Sequence, residues 1–388
     1  MTYRFAHRAE RLGASVYDHA PGAIMLSAGS AYPPILPDVS AEAAEAAKHG
    51  TAEAMQYGPL MGLDDLRDAI AGFVAEDGVR VSRDEILVCN GAKHATELAC
   101  RVFADPGDKV VVSAPTYMTT LQMFRNQGVD LIGIPLDGDG MQVDLLERRL
   151  ETMAANGETL PKLLFDVPDF HNPTGVTLSL ERRRKLIELA KRFGFVILED
   201  DPYRRLRFEG DPVPPIKSMD DAGVVIAIGT VSKILAPGLR VGWAIAPPEI
   251  AKRMALQKSD GGSSPFNQRI VASLMRSNKL ALHVDEVSGH MAAHRDVLVA
   301  ALRREIPDAK IRSPEGGYFM WVELPEHVSA EAVAAKGIEH GVEVSPGRVC
   351  FPEADPGHFL RMAYSYNSPD VLEDGARRLG AAYRAVVG

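Results

Sequence analysis

Lys233 stands in GTVSKILAPGLRVGW, residues 229–243, on a Gly/Pro-rich connection between two apolar runs. Thr230 and Ser232 lie close before it, and Arg240 follows seven residues later. A lysine that is to form an imine needs a partly dry pocket and nearby cations, which lower its pKa. A phosphate group needs hydroxyl donors and a guanidinium fork. Both sets of groups fall within the single stretch from Thr230 to Arg240. A second segment, LEDDPYRRLRF, residues 198–208, overlaps the end of the apolar run FVILE. It sets carboxylates at the C-terminal end of a strand, where α/β folds hold ligands. A pyridine-type nitrogen that must stay protonated needs a buried carboxylate beside it, and Asp200 can serve. Tyr203, three residues on, can bond a ring hydroxyl. A third segment, DFHNPTG, residues 169–175, adds Asn172, whose amide can bond both a ring oxygen and a substrate carboxylate.

Each segment also has an ordinary reading. A loop lysine and arginine are commonly solvated, acidic residues at a strand end commonly cap turns, and Asn-Pro-Thr-Gly is a competent turn by itself. The clustering of hydroxyls, lysine and arginine between buried strands is what the ordinary reading leaves unexplained. In NGAKHATELA, residues 90–99, a strand ends and a helix begins, so the amides at Ala92 and Lys93 form an anion site at a helix N-terminus.

These segments need a scaffold, and the surrounding pattern supplies one. Strands are expected at 85–89, 109–113, 129–134, 162–167, 195–199, 224–229 and 241–246, most of them nearly continuous apolar runs, as for strands covered on both faces. Helical patterns lie between several of them, notably His94–Ala104, Tyr117–Gln127 and Ser179–Phe193, the last with Ser179 as N-cap. This alternation predicts an α/β fold with a mostly parallel, seven-stranded, doubly wound sheet. From about Asn278 a long helical stretch, a hairpin-like PEGGYFMWVEL, a further helix, a short strand near Val342–Val344 and a closing helix from Pro369 read as a smaller α+β domain. The expected division is an N-terminal arm, 1–45, that packs with the small domain; a large domain, 46–277; and the small C-terminal domain, 278–388.

Composition narrows the partners. With 388 residues, 46% hydrophobic and 24% charged, the chain can bury a large core. A net charge of -9 argues against nucleic acid or an anionic membrane as main partner. Cys89, Cys100 and Cys350 are too few and too scattered for a disulfide framework or a zinc site. MTYRFAHRAERLG lacks the apolar core of a signal peptide, and no stretch approaches the roughly 20 apolar residues of a membrane span. A cytoplasmic setting is expected.

Taken together, the three segments resemble the fold-type-I pyridoxal-phosphate aminotransferases of class I/II, with the branch containing aminoadipate and kynurenine aminotransferases as the nearest pattern. Asn172 precedes Asp200 by 28 residues, and the order and intervals match that family over nearly the whole chain. The resemblance implies that Lys233 condenses with pyridoxal 5′-phosphate, that Asp200 faces its ring nitrogen, and that Asn172 and Tyr203 bond its ring hydroxyl. Ser232 and Arg240 match the phosphate ligands, with Thr230 where the family often has serine. Gly91-Ala92-Lys93-His94 stands where Gly-Ser-Gln-Gln is common, so the serine hydroxyl is missing, and Lys93 either adds a charge there or faces solvent. Tyr117 matches the aromatic that stacks on the ring. Tyr57 matches a tyrosine that reaches the phosphate of a neighbouring subunit, which implies a homodimer with shared active sites. Arg361 matches the arginine that forks the substrate α-carboxylate, and Gly29 a backbone contact near it.

The implied reaction is transfer of an amino group from an L-amino acid to a 2-oxo acid. The same residues also suit β- or γ-replacement, cyclisation or decarboxylation, and a non-enzymatic regulator is a third reading, set back by the short stretch ahead of Tyr57. Tyr17 stands where the aminoadipate branch often has an arginine for an acidic side chain, which weakens a dicarboxylate assignment and leaves aromatic or other bulky amino acids open.

Overall fold

In the computed structural model, which describes residues 3–6, 9, 19–48, 51–353 and 356–388, each of the seven apolar runs forms a strand. After β1 (Ile24–Met25) come β2 (Ile86–Cys89), β3 (Lys109–Ala114), β4 (Asp130–Asp137), β5 (Gly140–Met141) and β6 (Leu163–Asp166). They are followed by β7 (Val196–Asp201), β8 (Val225–Thr230) and β9 (Gly242–Ile245). The C-terminal part adds β10 (Lys310–Ile311), β11 (Phe319–Glu323), β12 (Val342–Glu343), β13 (Ser345–Pro346) and β14 (Phe359–Ala363).

The large sheet runs β2-β9-β8-β7-β6-β3-β4-β5. From β4 through β8 the neighbours are parallel. β9 is antiparallel to both β8 and β2. The eighth strand, β5, goes beyond the seven expected: it folds back on β4 as a two-residue hairpin arm, too short to carry a periodic signal.

Alternate residues of the central strands enter different cores, as strands covered on both faces require. Val110, Val112, Leu163, Phe165, Leu198 and Ile226 join the larger core. Val111, Leu164, Ile197 and Val225 join a second core with Leu186 and Ile187 of the helix Leu180–Phe193. Ser179 is the N-cap residue of that helix, but its side chain makes no capping bond; its carbonyl accepts from Arg183 N at 3.0 Å.

The C-terminal part holds the antiparallel sheet β10-β11-β14-β13, against which the helices Lys279–Glu305 and Ala330–Glu339 pack, while the helix Pro369–Val387 packs on those two helices. β1 pairs in parallel with β12, so the N-terminal segment is bound to the C-terminal part by backbone bonds. Among the described residues no helix is long and apolar enough to cross a membrane. In the large sheet β8, β7, β6 and β3 are successive neighbours, and their C-terminal ends lead to Lys233, Asp200 and Tyr203, Asn172, and Tyr117.

Candidate active site

The loops at those strand ends open on a cavity of about 470 Å³. Its lining brings together Gly29, Ala92, Lys93, Tyr117, Asn172, Asp200, Tyr203, Thr230, Ser232, Lys233, Arg240 and Arg361. Residues read separately along the chain thus meet in one place.

Lys233 is half-buried, and its Nζ donates to Gly29 O at 2.8 Å. Burial, then the nearby Arg361 guanidinium, lowers its ammonium pKa to about 8, against the pull of Asp200. Tyr318 Oη donates to Lys233 O at 2.7 Å and so fixes the backbone that carries the amine. Asp200, near the end of β7, is buried, and among the described residues its Oδ1 has no hydrogen-bond partner. Burial and the adjacent Asp201 carboxylate push its pKa up to about 7. Tyr203 is buried, its ring 6.0 Å from that of Phe319 in an edge-to-face arrangement, and burial raises its phenol well above the ordinary value.

Two buried networks hold the loops that carry these groups. Asp169, three residues before Asn172, forms ion pairs with Arg183 at 3.1 Å and with Arg204 at 2.6 Å. Arg204 follows Tyr203 directly, so one carboxylate ties the Asn172 loop to the Asp200–Tyr203 loop. Despite its burial, these arginines hold Asp169 below the usual carboxylate range. Below the same loop, Ser113 bonds Asp166, and His171 Nδ1 lies 3.0 Å from Thr174 Oγ1. Burial pushes His171 down to about 3, so it is a neutral packing group.

At one end of the cavity Thr230 Oγ1 lies 2.9 Å from Ser232 Oγ and 3.0 Å from Val241 O, and it accepts from Ser232 N at 3.2 Å. Thr230 therefore props Ser232. Arg240 adopts a left-handed backbone, φ 52°, and its Nη2 donates to Asn90 O at 2.6 Å, which sets the guanidinium beside the N-terminus of the helix Ala92–Phe103. At the other end Arg361 Nε donates to Asn172 Oδ1 at 3.1 Å and Nη1 to Ser27 O at 3.0 Å. Its guanidinium lies 4.0 Å above the Phe319 ring. Tyr117, half-buried, is the N-cap residue of the helix Met118–Gln127.

Among the described residues the cavity holds four cationic side chains, Lys93, Lys233, Arg240 and Arg361, against the one carboxylate of Asp200. Such a lining suits a ligand with an anion at each end and a cationic N–H in the middle. Tyr57 does not line the cavity: it is 83% exposed and packs beside Gly261. Tyr17 lies outside the described residues. Sequence reading missed Phe319, His19 and Ser27, which also line the cavity. Phe319 stands in PEGGYFMWVEL, legible only as a hairpin-like segment, and nothing local marks the other two.

Residues 22–379 match the family model of aminotransferases of class I and II. The chain belongs to that family. This aminotransferase is 37% identical over 349 residues to the aromatic-amino-acid aminotransferase 1 of Thermococcus litoralis, covering 89% of this chain and 83% of the relative. It is 33% identical over 377 residues to the 2-aminoadipate transaminase of Thermus thermophilus, covering 95% and 91%. Among solved structures it is similar to the kynurenine aminotransferase of Pyrococcus horikoshii, crystallised with PMP, with a TM-score of 0.93 and 33% identity over 99% of this chain and 98% of that one. The enzyme is thus an aminotransferase with the fold-type-I architecture of those neighbours.

Proposed function

We propose that this aminotransferase holds pyridoxal 5′-phosphate in the cavity and moves an amino group from an L-amino acid to a 2-oxo acid. The observation that carries the proposal is the buried Oδ1 of Asp200, unpartnered among the described residues, in the same cavity as Lys233 and the cations Lys93, Arg240 and Arg361. A buried carboxylate lacking a partner is costly unless a cationic donor meets it, and a protonated ring nitrogen is such a donor. Ser232, Arg240 and the amides of Ala92 and Lys93 would hold the phosphate, and Lys93 supplies charge where a hydroxyl is missing. Asn172 and Tyr203 would bond the ring hydroxyl, and Tyr117 would cover the ring face.

When bound, the cofactor supplies an aldehyde that takes up the amine and a protonated ring that withdraws charge from the substrate Cα. The chain's own work is positioning and proton transfer. Asp200 holds the proton on the ring nitrogen. Arg361, oriented by Asn172 and Ser27 O, forks the α-carboxylate and so directs the Cα–H bond towards Lys233. Lys233 Nζ, neutral above about pH 8, takes the Cα proton and hands it on. Aromatic or other bulky donors are the proposed substrates, in keeping with Tyr17 in place of an arginine.

The working unit in this proposal is a cytoplasmic homodimer, with Tyr57 reaching the partner's phosphate. Met55 is 67% exposed and Leu60 41% exposed beside the exposed Tyr57, an apolar set that a second subunit would cover. The test is incubation of the loaded enzyme with an amino-acid panel and 2-oxoglutarate. Stoichiometric exchange of amino and oxo acids is expected. Consumption of the amino acid with no aminated acceptor would contradict transamination.

A further inference from the structure

The left-handed backbone of Arg240 is unfavourable for a residue with a Cβ and persists where neighbouring groups fix it. Groups that fix it come from one segment, 258–268. Asn267 Nδ2 donates to Leu239 O at 2.9 Å, on the residue just before Arg240. Asp260 reaches the Arg240 side chain through Asn90. Asn90 Nδ2 donates to Asp260 Oδ2 at 2.6 Å, and Asn90 N donates to His94 Nδ1 at 3.2 Å. With its side chain and its N–H both held, Asn90 has a carbonyl of fixed direction. That carbonyl accepts from Arg240 Nη2 at 2.6 Å.

The guanidinium is thereby laid against the start of the helix Ala92–Phe103. A Cβ on Gly91, the residue before the helix, would lie 2.7 Å from Arg240 Nη2. A guanidinium has five N–H donors. Nη2 gives one to Asn90 O and Nη1 gives one to Pro237 O at 3.3 Å, so five minus two leaves three for an anion. Arg240 lines the cavity, whereas Asn90 and Asp260 are not among the described residues that do. Those two therefore bear on the cavity through Arg240. Asp260 is itself anchored: its Oδ1 accepts from Gly262 N at 2.9 Å. Two residues earlier, Lys258 Nζ donates to Val88 O and to Leu60 O, each at 3.0 Å. Val88 lies in β2 two residues before Asn90, so segment and strand end are tied at two successive points.

We propose that Asp260 is a positioning residue: by holding Asn90 it sets Arg240 so that the guanidinium and the amides of Ala92 and Lys93 meet one phosphate group. The inference rests on the reading of the cavity as a pyridoxal 5′-phosphate site, and its test separates the two. The measurement is the affinity of the full-length, cofactor-free protein for pyridoxal 5′-phosphate and for pyridoxal, each followed by the visible absorbance of the imine. Pyridoxal has the same ring and aldehyde, so the ratio of the two affinities isolates the phosphate. Asp260→Ala is expected to lower that ratio by about 3- to 10-fold, as for one misaimed bond to a charged group. Asp260→Asn keeps an acceptor for Asn90 Nδ2 and restores part of the loss. Asn90→Ala keeps the carbonyl and removes the bond to Asp260, so it lowers the ratio as Asp260→Ala does, and the double variant lowers it no further. Asn90→Ala also tests the same bond should Asp260→Ala fail to fold. A ratio unmoved in these variants, including one where both affinities fall alike through loss of packing, would overturn the inference. A native protein that binds pyridoxal as tightly as its phosphate, or binds neither, would overturn the cofactor reading instead.

Discussion

Asp200 and Lys233 are opposed in charge yet both are held away from their ordinary protonation by burial. In the cofactor-free protein the folded-state pKa of Asp200, about 7, lies above its unfolded value, so the folded chain holds that proton more tightly. Stability therefore falls as pH rises from about 4 to about 7 and stays low above that. Asp200→Asn removes the effect: the cofactor-free variant is expected to exceed the native protein in stability by about 2–4 kcal/mol at pH 8, the gap closing towards pH 4, as read by denaturant titration. The same variant is expected to lose about 100- to 1000-fold in kcat/KM, because a neutral amide does not hold the ring nitrogen protonated. For Lys233 the sign is opposite. Its neutral form is the nucleophile, and with a pKa of about 8 the rate of pyridoxal phosphate uptake should rise with pH to a midpoint near 8 and then level off, followed by stopped-flow absorbance. A rate still climbing towards pH 10 would mean an ordinary solvated lysine. Asn172, Asp200, Tyr203, Ser232 and Lys233 were legible in the sequence because each follows an apolar run within a few residues, and Arg240 because it directly precedes one. Asp260 was not, since it gains meaning only from Asn90, 170 positions away.

The elements that carry these residues were readable where burial on both faces writes a continuous apolar run. All seven expected strands form, with ends that differ by a few residues at most. The hairpin arm β5 and the helices Val143–Ala155, Pro248–Leu256 and Pro265–Arg276 escaped. β5 has only two residues, and in VDLLERRLETMAA the buried Val143, Leu146, Leu150 and Met153 are a narrow stripe among charges. The antiparallel entry of β9 was also invisible, because a buried strand reads alike in either direction. Its first residue makes a sharp test of the sheet. A Cβ on Gly242 would lie 2.7 Å from Gly91 C and 2.8 Å from Gly229 O, both backbone atoms that cannot turn away. Gly242→Ala should cost on the order of 1–3 kcal/mol and weaken cofactor binding, since β9 lies between the strands leading to Lys233 and to the helix at Ala92. Thermal unfolding with and without cofactor would measure both effects.

At the scale of the whole molecule, Tyr57 is the residue whose placement in one chain leaves its proposed role open to a second. It stands 83% exposed and away from the cavity of its own chain. Light scattering should give twice the 42.0 kDa chain mass. Tyr57→Ala should weaken pyridoxal phosphate binding by about tenfold through loss of one bond to the phosphate. A monomeric enzyme with full cofactor affinity would contradict the shared site.

The most direct test is of Lys233 itself. Borohydride treatment of the native protein loaded with pyridoxal phosphate should abolish its visible absorbance and leave a reduced adduct that peptide mapping locates on Lys233. The Lys233→Ala protein should give no such adduct and should not exchange amino groups at a measurable rate. An adduct on another lysine, or native turnover in Lys233→Ala, would contradict the account.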